Sequence, residues 1–577
     1  MKILFLTHSF NSLTQRLFVE LRRDGHEISV EFDINDAVAE QAVGLFQPEL
    51  IIAPFLKRKI PDSIWQNHRC LIVHPGIVGD RGPSSVDWAI MRGDQRWGVT
   101  CLQADAEMDA GDIWATAEFD MRDASKSSLY RNEVTEAALE SVRQAISRIE
   151  SGGEATPLDY EEATVQGQWH CLMQQSDRTI EWALHSTDEV LRRIRAADSV
   201  PGVVSDIGGR DYALFNGYQE HNLNLDRSAE PGSLIGHRDG AVCLATIDGA
   251  LWVTHLRLAT PAEGEHGFKL PATLQLAEAL ANAPESLKVP ELALLPEAET
   301  DEDSWQEICY RESGHVGYLH FDFYNGAMGT EQCQRLQQAV IAAKQRDIRV
   351  LVLLGGSEFW SNGIHLNLIE AAESPADESW RNINAMNDLC RELIESPNQM
   401  ILAAMQANAG AGGVFMALAA DRVIARESVI LNPHYRSMGN LYGSEYWTYL
   451  LPQRVGDQQA KQLMQNRLPV TATEAQEIGL IDQVISEDRE TFVAQVMHQA
   501  RMLAEGPDFS DLLAMRNKHR ADDFSQKPLQ AYRDEELKKM KLNFYGFDPS
   551  YHVARYHFVE KLPKARTPSW LACHRKL

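Results

Sequence analysis

From Pro284 to Ser304 the chain reads PESLKVPELALLPEAETDEDS, and this stretch limits what the whole can become. Rich in proline and acid, it cannot bury much apolar surface and reads as a connection, with 291–304 as the acidic linker proper. Long segments with patterned apolar runs lie on either side. The 577 residues, 44% of them hydrophobic, are more than one core can hold. Roughly two to four domains are expected.

Before the linker, KILFL, HEISVEFD and PELIIAPFL are short apolar strands separated by helical patterns such as LTQRLFVELRRDG. This is the βαβ rhythm of an open parallel sheet, placed at residues 1–165. No G-x-G-x-x-G follows the first strand, so a dinucleotide fingerprint is absent. Beyond Asp177 come a helix, DEVLRRIRAAD, and the alternating strands YALFNGYQ, GAVCLATIDG and ALWVTHLRL. They predict a small β-barrel-like domain at 166–290. After the linker, GHVGYLHFDF, IRVLVLLGG and QMILAAMQA alternate with helices, giving a third domain, again α/β, at 305–577 with a C-terminal helical extension. The fold class is therefore α/β and multidomain.

A formal charge of -27 and a pI near 5.1 leave no electrostatic footprint for nucleic acid or an anionic membrane. Any phosphate-bearing ligand has to meet locally concentrated Lys and Arg. The eight cysteines form no C-x-x-C pair, which argues against a disulfide framework or a metal site and for a reducing cytoplasm. The opening KILFLTHS is too short and polar-ended for a signal peptide, and no apolar stretch reaches membrane-spanning length.

The first chemical constellation is LIVHPGIVGDRGPSSVDWAIMRG, from Leu71, followed by WGVTCLQADAEMDAGDIW, from Trp97. These segments resemble the folate-dependent formyltransferase and formyl-hydrolase family in His74, Arg81-Gly82-Pro83, Gly98-Val99-Thr100 and Asp109-Ala110-Gly111-Asp112. The resemblance implies a 10-formyl-tetrahydrofolate substrate, with His74 in acid–base function, Asp109 orienting and charging its ring, and Arg81 at the folate site. Taken alone, His74 would more often be a turn residue before Pro75 and Asp109 a loop acid; the ordered set of motifs favours the chemical reading. Where the family carries an oxyanion-donating Asn, this chain has Ile72, which cannot donate. The following segment also resembles the C-terminal barrel of methionyl-tRNA formyltransferases, although the acid excess argues against tRNA.

The second constellation is SEFWSNGIHL, from Ser357, and ANAGAGGVFMALAADRVIA, from Ala407. Both resemble the enoyl-CoA hydratase/isomerase, or crotonase, superfamily, in which two backbone N–H groups form an oxyanion hole for a thioester. That resemblance maps the donors onto Asn362 and Gly412, with Gly413 in the same turn. The two slots where hydratases carry catalytic Glu hold Phe415 and Tyr435, so hydration is not expected. Glu445, in GSEYW, is placed at the start of the next helix, where it can pair with Tyr435 for acid–base chemistry; a pocket-wall Tyr and a helix-capping Glu are the plain alternatives.

The order of the segments, together with HPGIVGDRGPSSVDWAI, resembles a family of hydrogenase maturation proteins across essentially the whole chain. What this implies is transfer of the formyl group of 10-formyl-tetrahydrofolate to coenzyme A and decarbonylation of formyl-CoA to carbon monoxide. The product would be destined for nickel–iron hydrogenase, whose large subunit or assembly proteins are the expected partners. The alternative is a formyltransferase or deformylase with a non-catalytic acyl-CoA-binding module. Candidate coenzyme A contacts are Lys57, Arg58 and Lys59 in FLKRKIP, Arg575 in the tail, and the polar side chains Gln15 and Arg131. A run of Lys and Arg also fits a solvated face.

Overall fold

The computed structural model describes all residues except 163, 164, 222–228, 282–303, 487 and 577. The stretch assigned as linker, 291–304, lies outside the described residues but for Ser304. Two compact units are present: Met1–Ala262 with Pro271–Leu287 and Pro563–Leu577, and Glu263–Leu270 with Lys288–Leu562.

The first unit is built on a six-stranded sheet ordered Glu27–Phe32, Lys2–Thr7, Leu50–Ala53, Cys70–His74, Arg96–Gln103, Ile113–Asp120. The first four strands run parallel and read as continuous apolar runs because helices cover the sheet. The last two form an antiparallel hairpin on its edge. Helix Ser12–Arg23 starts where the Asn11 side chain accepts from the Thr14 N–H at 3.0 Å, and it buries Leu13, Leu17 and Leu21.

The next region carries helix Thr187–Ala197, begun by a Ser186/Glu189 capping box, against an antiparallel sheet. Its strands follow the path Val203–Ile207, Arg210–Glu220, Ala250–Leu258, Ala241–Ala245, Leu234–Arg238. Val190, Leu191 and Ile194 pack on Leu214, Leu251 and Leu256. Among the described residues this path is open, with Val203–Ile207 and Leu234–Arg238 at its two ends.

The tail corrects the expected boundary at 577, because Pro563–Leu577 belongs to the first unit. The reason is Glu31, a fully buried carboxylate that accepts from Thr567, His574 and Arg575. Burial pushes this carboxyl up, but the hydrogen bonds from His574, Thr567 and Arg575 outweigh it and hold it below its ordinary value.

The second unit holds another six-stranded sheet: Ile308–Ser313, Val316–Phe321, Val350–Gly355, Met400–Met405, Arg422–Arg426, Gln483–Ile485. Only the first pair is antiparallel. Helices Thr330–Lys344 and Pro375–Ile394 pack on it, and helix Gly412–Leu418 is buried throughout its length. Among the described residues no helix is long and apolar enough to cross a membrane, and no cluster of His, Cys, Asp and Glu could hold a metal ion.

Candidate active sites

His74 ends the strand Cys70–His74, at the carboxyl edge of the parallel ladder where open α/β sheets bind ligands. Its ring is buried between two carboxylates: Nε2 lies 2.8 Å from Asp80 Oδ2, and Nδ1 lies 3.6 Å from Asp109 Oδ2. Asp109 is thus brought to His74 as expected, but the nearer partner is Asp80. Burial by itself would depress the imidazole; the hydrogen bond that the ring donates to Asp80 and the charges of Asp109 and Asp80 more than offset it and raise the pKa. Gly76 makes the pair possible, since a Cβ there would fall 2.4 Å from His74 Nε2 and 2.5 Å from Asp80 Oδ2. Asp109 Oδ2 also accepts from the Gly82 N–H at 3.2 Å. Arg81 pairs with Glu107 and lies 4.2 Å over the Tyr160 ring. Ile72 is partly buried and packs on the apolar cluster around Leu6 and Ile51.

The expected phosphate-binding cations fare differently. Arg58 is ion-paired to Asp36 at 2.9 Å and Lys59 to Asp62 at 2.9 Å, so of the exposed loop Lys57 has no ion-pair partner among the described residues. Arg575 is not a free tail cation: its guanidinium binds Glu31 at 2.6 Å and Gln41 at 2.8 Å because the tail docks there. Gln15 donates to the Phe10 carbonyl at 2.9 Å, and Arg131, closing helix Lys126–Arg131, reaches Ser127 Oγ at 3.5 Å.

In the second unit, Gly412 opens the buried helix Gly412–Leu418, and its N–H has no acceptor among the described residues, as befits a first helical turn. A Cβ at Gly363 would sit 3.2 Å from the Gly412 nitrogen, so the two glycines border one narrow space. Gly413 packs on Ser361, and its carbonyl accepts from Trp360 Nε1 at 2.9 Å. Asn362 corrects an expectation: its N–H is not a waiting oxyanion donor but donates to the Gly326 carbonyl at 2.6 Å, while its Nδ2 donates to the Asn325 carbonyl at 2.8 Å.

Tyr435 and Glu445 meet. The Tyr435 hydroxyl donates to Glu445 Oε2 at 2.5 Å, and its ring stacks on Phe415 with centroids 5.3 Å apart. The two positions that the resemblance assigns to the hydratase glutamates therefore hold a stacked aromatic pair. Glu445 does not start a helix; it stands in a left-handed turn, φ 60°, ahead of Trp447–Asn466. Its other oxygen closes on the turn at Gly412, 2.3 Å from where a Gly412 Cβ would lie. Burial pushes the Glu445 carboxyl up to about 7 against the hydrogen bonds from Tyr435 and the Ser444 N–H. Burial and the neighbouring Glu445 charge drive the Tyr435 hydroxyl well above its ordinary value.

Sequence reasoning missed the residues that hold this turn. Asn387 Oδ1 accepts from the Glu445 N–H at 2.7 Å and from Ser444 Oγ at 3.0 Å. Glu536, buried on helix Leu529–Tyr545, accepts from the N–H groups of Tyr446 at 3.0 Å and Thr448 at 2.8 Å. Burial, against the Thr448 hydrogen bonds and with the Glu445 charge adding, pushes the Glu536 carboxyl up to about 8. No motif marks Glu536. Asp80 carried a signal, being a lone acid between Gly79 and Arg81, six residues after His74.

Residues 20–146 match the formyl transferase family, 172–264 its C-terminal domain, and 323–567 the enoyl-CoA hydratase/isomerase family. The chain is 50% identical over 576 residues to hydrogenase maturation factor HoxX of Bradyrhizobium diazoefficiens, covering 100% of this chain and 97% of that one. The crystal structure of HypX from Aquifex aeolicus in complex with tetrahydrofolic acid superposes with a TM-score of 0.94 at 47% identity, over 100% of this chain and 99% of that one. Cytosolic 10-formyltetrahydrofolate dehydrogenase of Mus musculus is 26% identical over 51% of this chain and 36% of its own length.

Proposed function

The chain belongs to the family of hydrogenase maturation factors represented by HoxX and HypX, and on that premise we propose that it makes carbon monoxide in two steps. The formyl group of 10-formyl-tetrahydrofolate passes to the thiol of coenzyme A, a co-substrate, and formyl-CoA is then decarbonylated. The first step falls to His74: it gives a proton to the folate nitrogen as the carbon–nitrogen bond breaks and regains one from the thiol as the carbon–sulfur bond forms. Proton count and oxidation state are conserved.

The second step falls to Glu445 and Tyr435. A formyl thioester has no α-carbon, so hydratase glutamates would have nothing to act on. Glu445 takes the formyl proton, the carbon–sulfur bond breaks towards sulfur, and the proton returns to the thiolate through the Tyr435 hydroxyl. The Gly412 N–H and the positive end of its helix hold the thioester oxygen. The observation that carries this reading is the Tyr435–Glu445 hydrogen bond closed over Gly412, with an aromatic pair in both hydratase slots. The partly neutralised 57–59 loop offers phosphates little beyond Lys57. The carbon monoxide would be delivered to the large subunit of nickel–iron hydrogenase or to its assembly proteins.

The occupied Asn362 N–H gives the alternative some support, since it leaves half of an oxyanion hole in a module that would only bind acyl-CoA. The test is to incubate purified protein with formyl-labelled 10-formyl-tetrahydrofolate and coenzyme A beside deoxymyoglobin. Labelled carboxymyoglobin that is lost in Tyr435→Phe and Glu445→Gln is the expected outcome. Formate or formyl-CoA without trapped gas would replace this reading by the alternative.

A further inference from the structure

His74 faces a second carboxylate beside Asp109, and the arrangement around its ring points to what that carboxylate does. A neutral imidazole carries one N–H, yet here both ring nitrogens face carboxylates, Asp80 at 2.8 Å and Asp109 at 3.6 Å. Asp80 is 2% exposed, and its Oδ1 has no partner among the described residues, so its charge is directed at the ring rather than at solvent. We infer that Asp80 is a positioning residue that, with Asp109, keeps His74 doubly protonated, so that the ring enters the transfer as the acid that releases a proton to the folate nitrogen.

The carboxylate is held from outside the strand. The Asp80 N–H donates to the Ile77 carbonyl at 2.9 Å, and the Arg81 N–H and carbonyl bond to Gln168 and His170 at 3.1 and 2.9 Å. Gly167 packs so closely that a Cβ on it would lie 2.0 Å from the Asp80 nitrogen. The other titratable groups here do not supply the second carboxylate's role. Tyr130, partly buried, has its phenol pushed up by burial and by the charges of Asp87 and Asp80. On the Asp109 side, Arg81 is paired with Glu107 and stacked on Tyr160. His170 is bonded to Arg92 at 2.9 Å.

The assignment rests on the proposed formyl transfer for its chemical purpose, but its test does not. Full-length protein labelled at histidine Cε1 is titrated by NMR, with His74 identified by the signal that disappears in His74→Gln. The His74 midpoint is expected above 6.5 in the unaltered protein and about one unit or more lower in Asp80→Asn. The alkaline limb of formyl transfer should move down with it, and Asp80→Glu should recover part of both shifts. A midpoint at or below 6.5 in the unaltered protein overturns the inference, even if Asp80→Asn fails to fold. So does a midpoint unmoved in a folded Asp80→Asn. If His74 shifts as expected but no formyl group is transferred, the functional reading fails and the role of Asp80 stands.

Discussion

His74 and Glu445 are both buried titratable groups, yet their surroundings push them in chemically opposite directions. His74 sits between two carboxylates, and its charged form is favoured in spite of burial. Among the described residues Glu445 has no cation beside it, only a phenol and a backbone N–H, and burial drives it toward the neutral acid with a pKa of about 7. The difference matches the chemistry proposed for each. Breaking the bond to a folate nitrogen calls for a charged acid that can release a proton, whereas taking a proton from a formyl carbon needs a base that is neither strongly solvated nor paired with a cation.

The contrast is easiest to break at the bases themselves. Glu445→Gln should lower carbon monoxide release from supplied formyl-CoA by roughly 10²- to 10⁴-fold, the span usual for a positioned acid–base group. His74→Ala should cost formyl transfer a similar factor while leaving decarbonylation of supplied formyl-CoA near normal. Equal losses in both assays would mean that the two sites are not separable.

A smaller effect is expected from what supports Glu445. Glu536→Ala leaves the buried N–H groups of Tyr446 and Thr448 without acceptors, so denaturant unfolding should show a loss of about 1–3 kcal/mol. Decarbonylation should fall with it, because the left-handed turn at Glu445 loses its anchor.

Stability against pH sharpens the comparison further. Both Glu445 and Glu536 have folded values raised above 4.5, to about 7 and about 8. Their contribution is therefore complete below 4.5 and is lost as pH rises through 7 to 8. Thermal unfolding should show the second unit weakening across that window, and Glu536→Gln should flatten the slope. The raised His74 gives the same sign in the first unit, with stability present below 6.5 and lost as pH rises through its folded value.

The smallest effect should come from Lys57→Glu, which removes the unpaired member of an exposed loop. Coenzyme A binding measured by calorimetry should weaken only a few-fold, and less at high salt. A loss of a hundredfold would make this loop the main phosphate site.

What could be read from the chain alone follows a physical boundary. Local spacing specifies local backbone, so the parallel strands and the turn before Gly412 were legible. His74 with Asp109 was legible for the same reason. The pairing of Tyr435 with Glu445 was anticipated, but the left-handed turn that presents Glu445 was not, because it depends on Asn387 and Glu536 arriving from other helices.

Contacts between distant segments stayed hidden. Arg575 reads as a free cation in the sequence, and only docking of the tail on the buried Glu31 shows that its charge is already used. Asn362 keeps the expected place in its turn, yet the carbonyl of Gly326 takes its N–H. The sequence by itself determined the succession of domains, the motifs and the residue types at each site, since these depend on periodicity and spacing. Tertiary structure alone decided which charges are compensated, which donors remain available and which carboxyls are neutral, because those properties depend on burial and on partners far away in the chain.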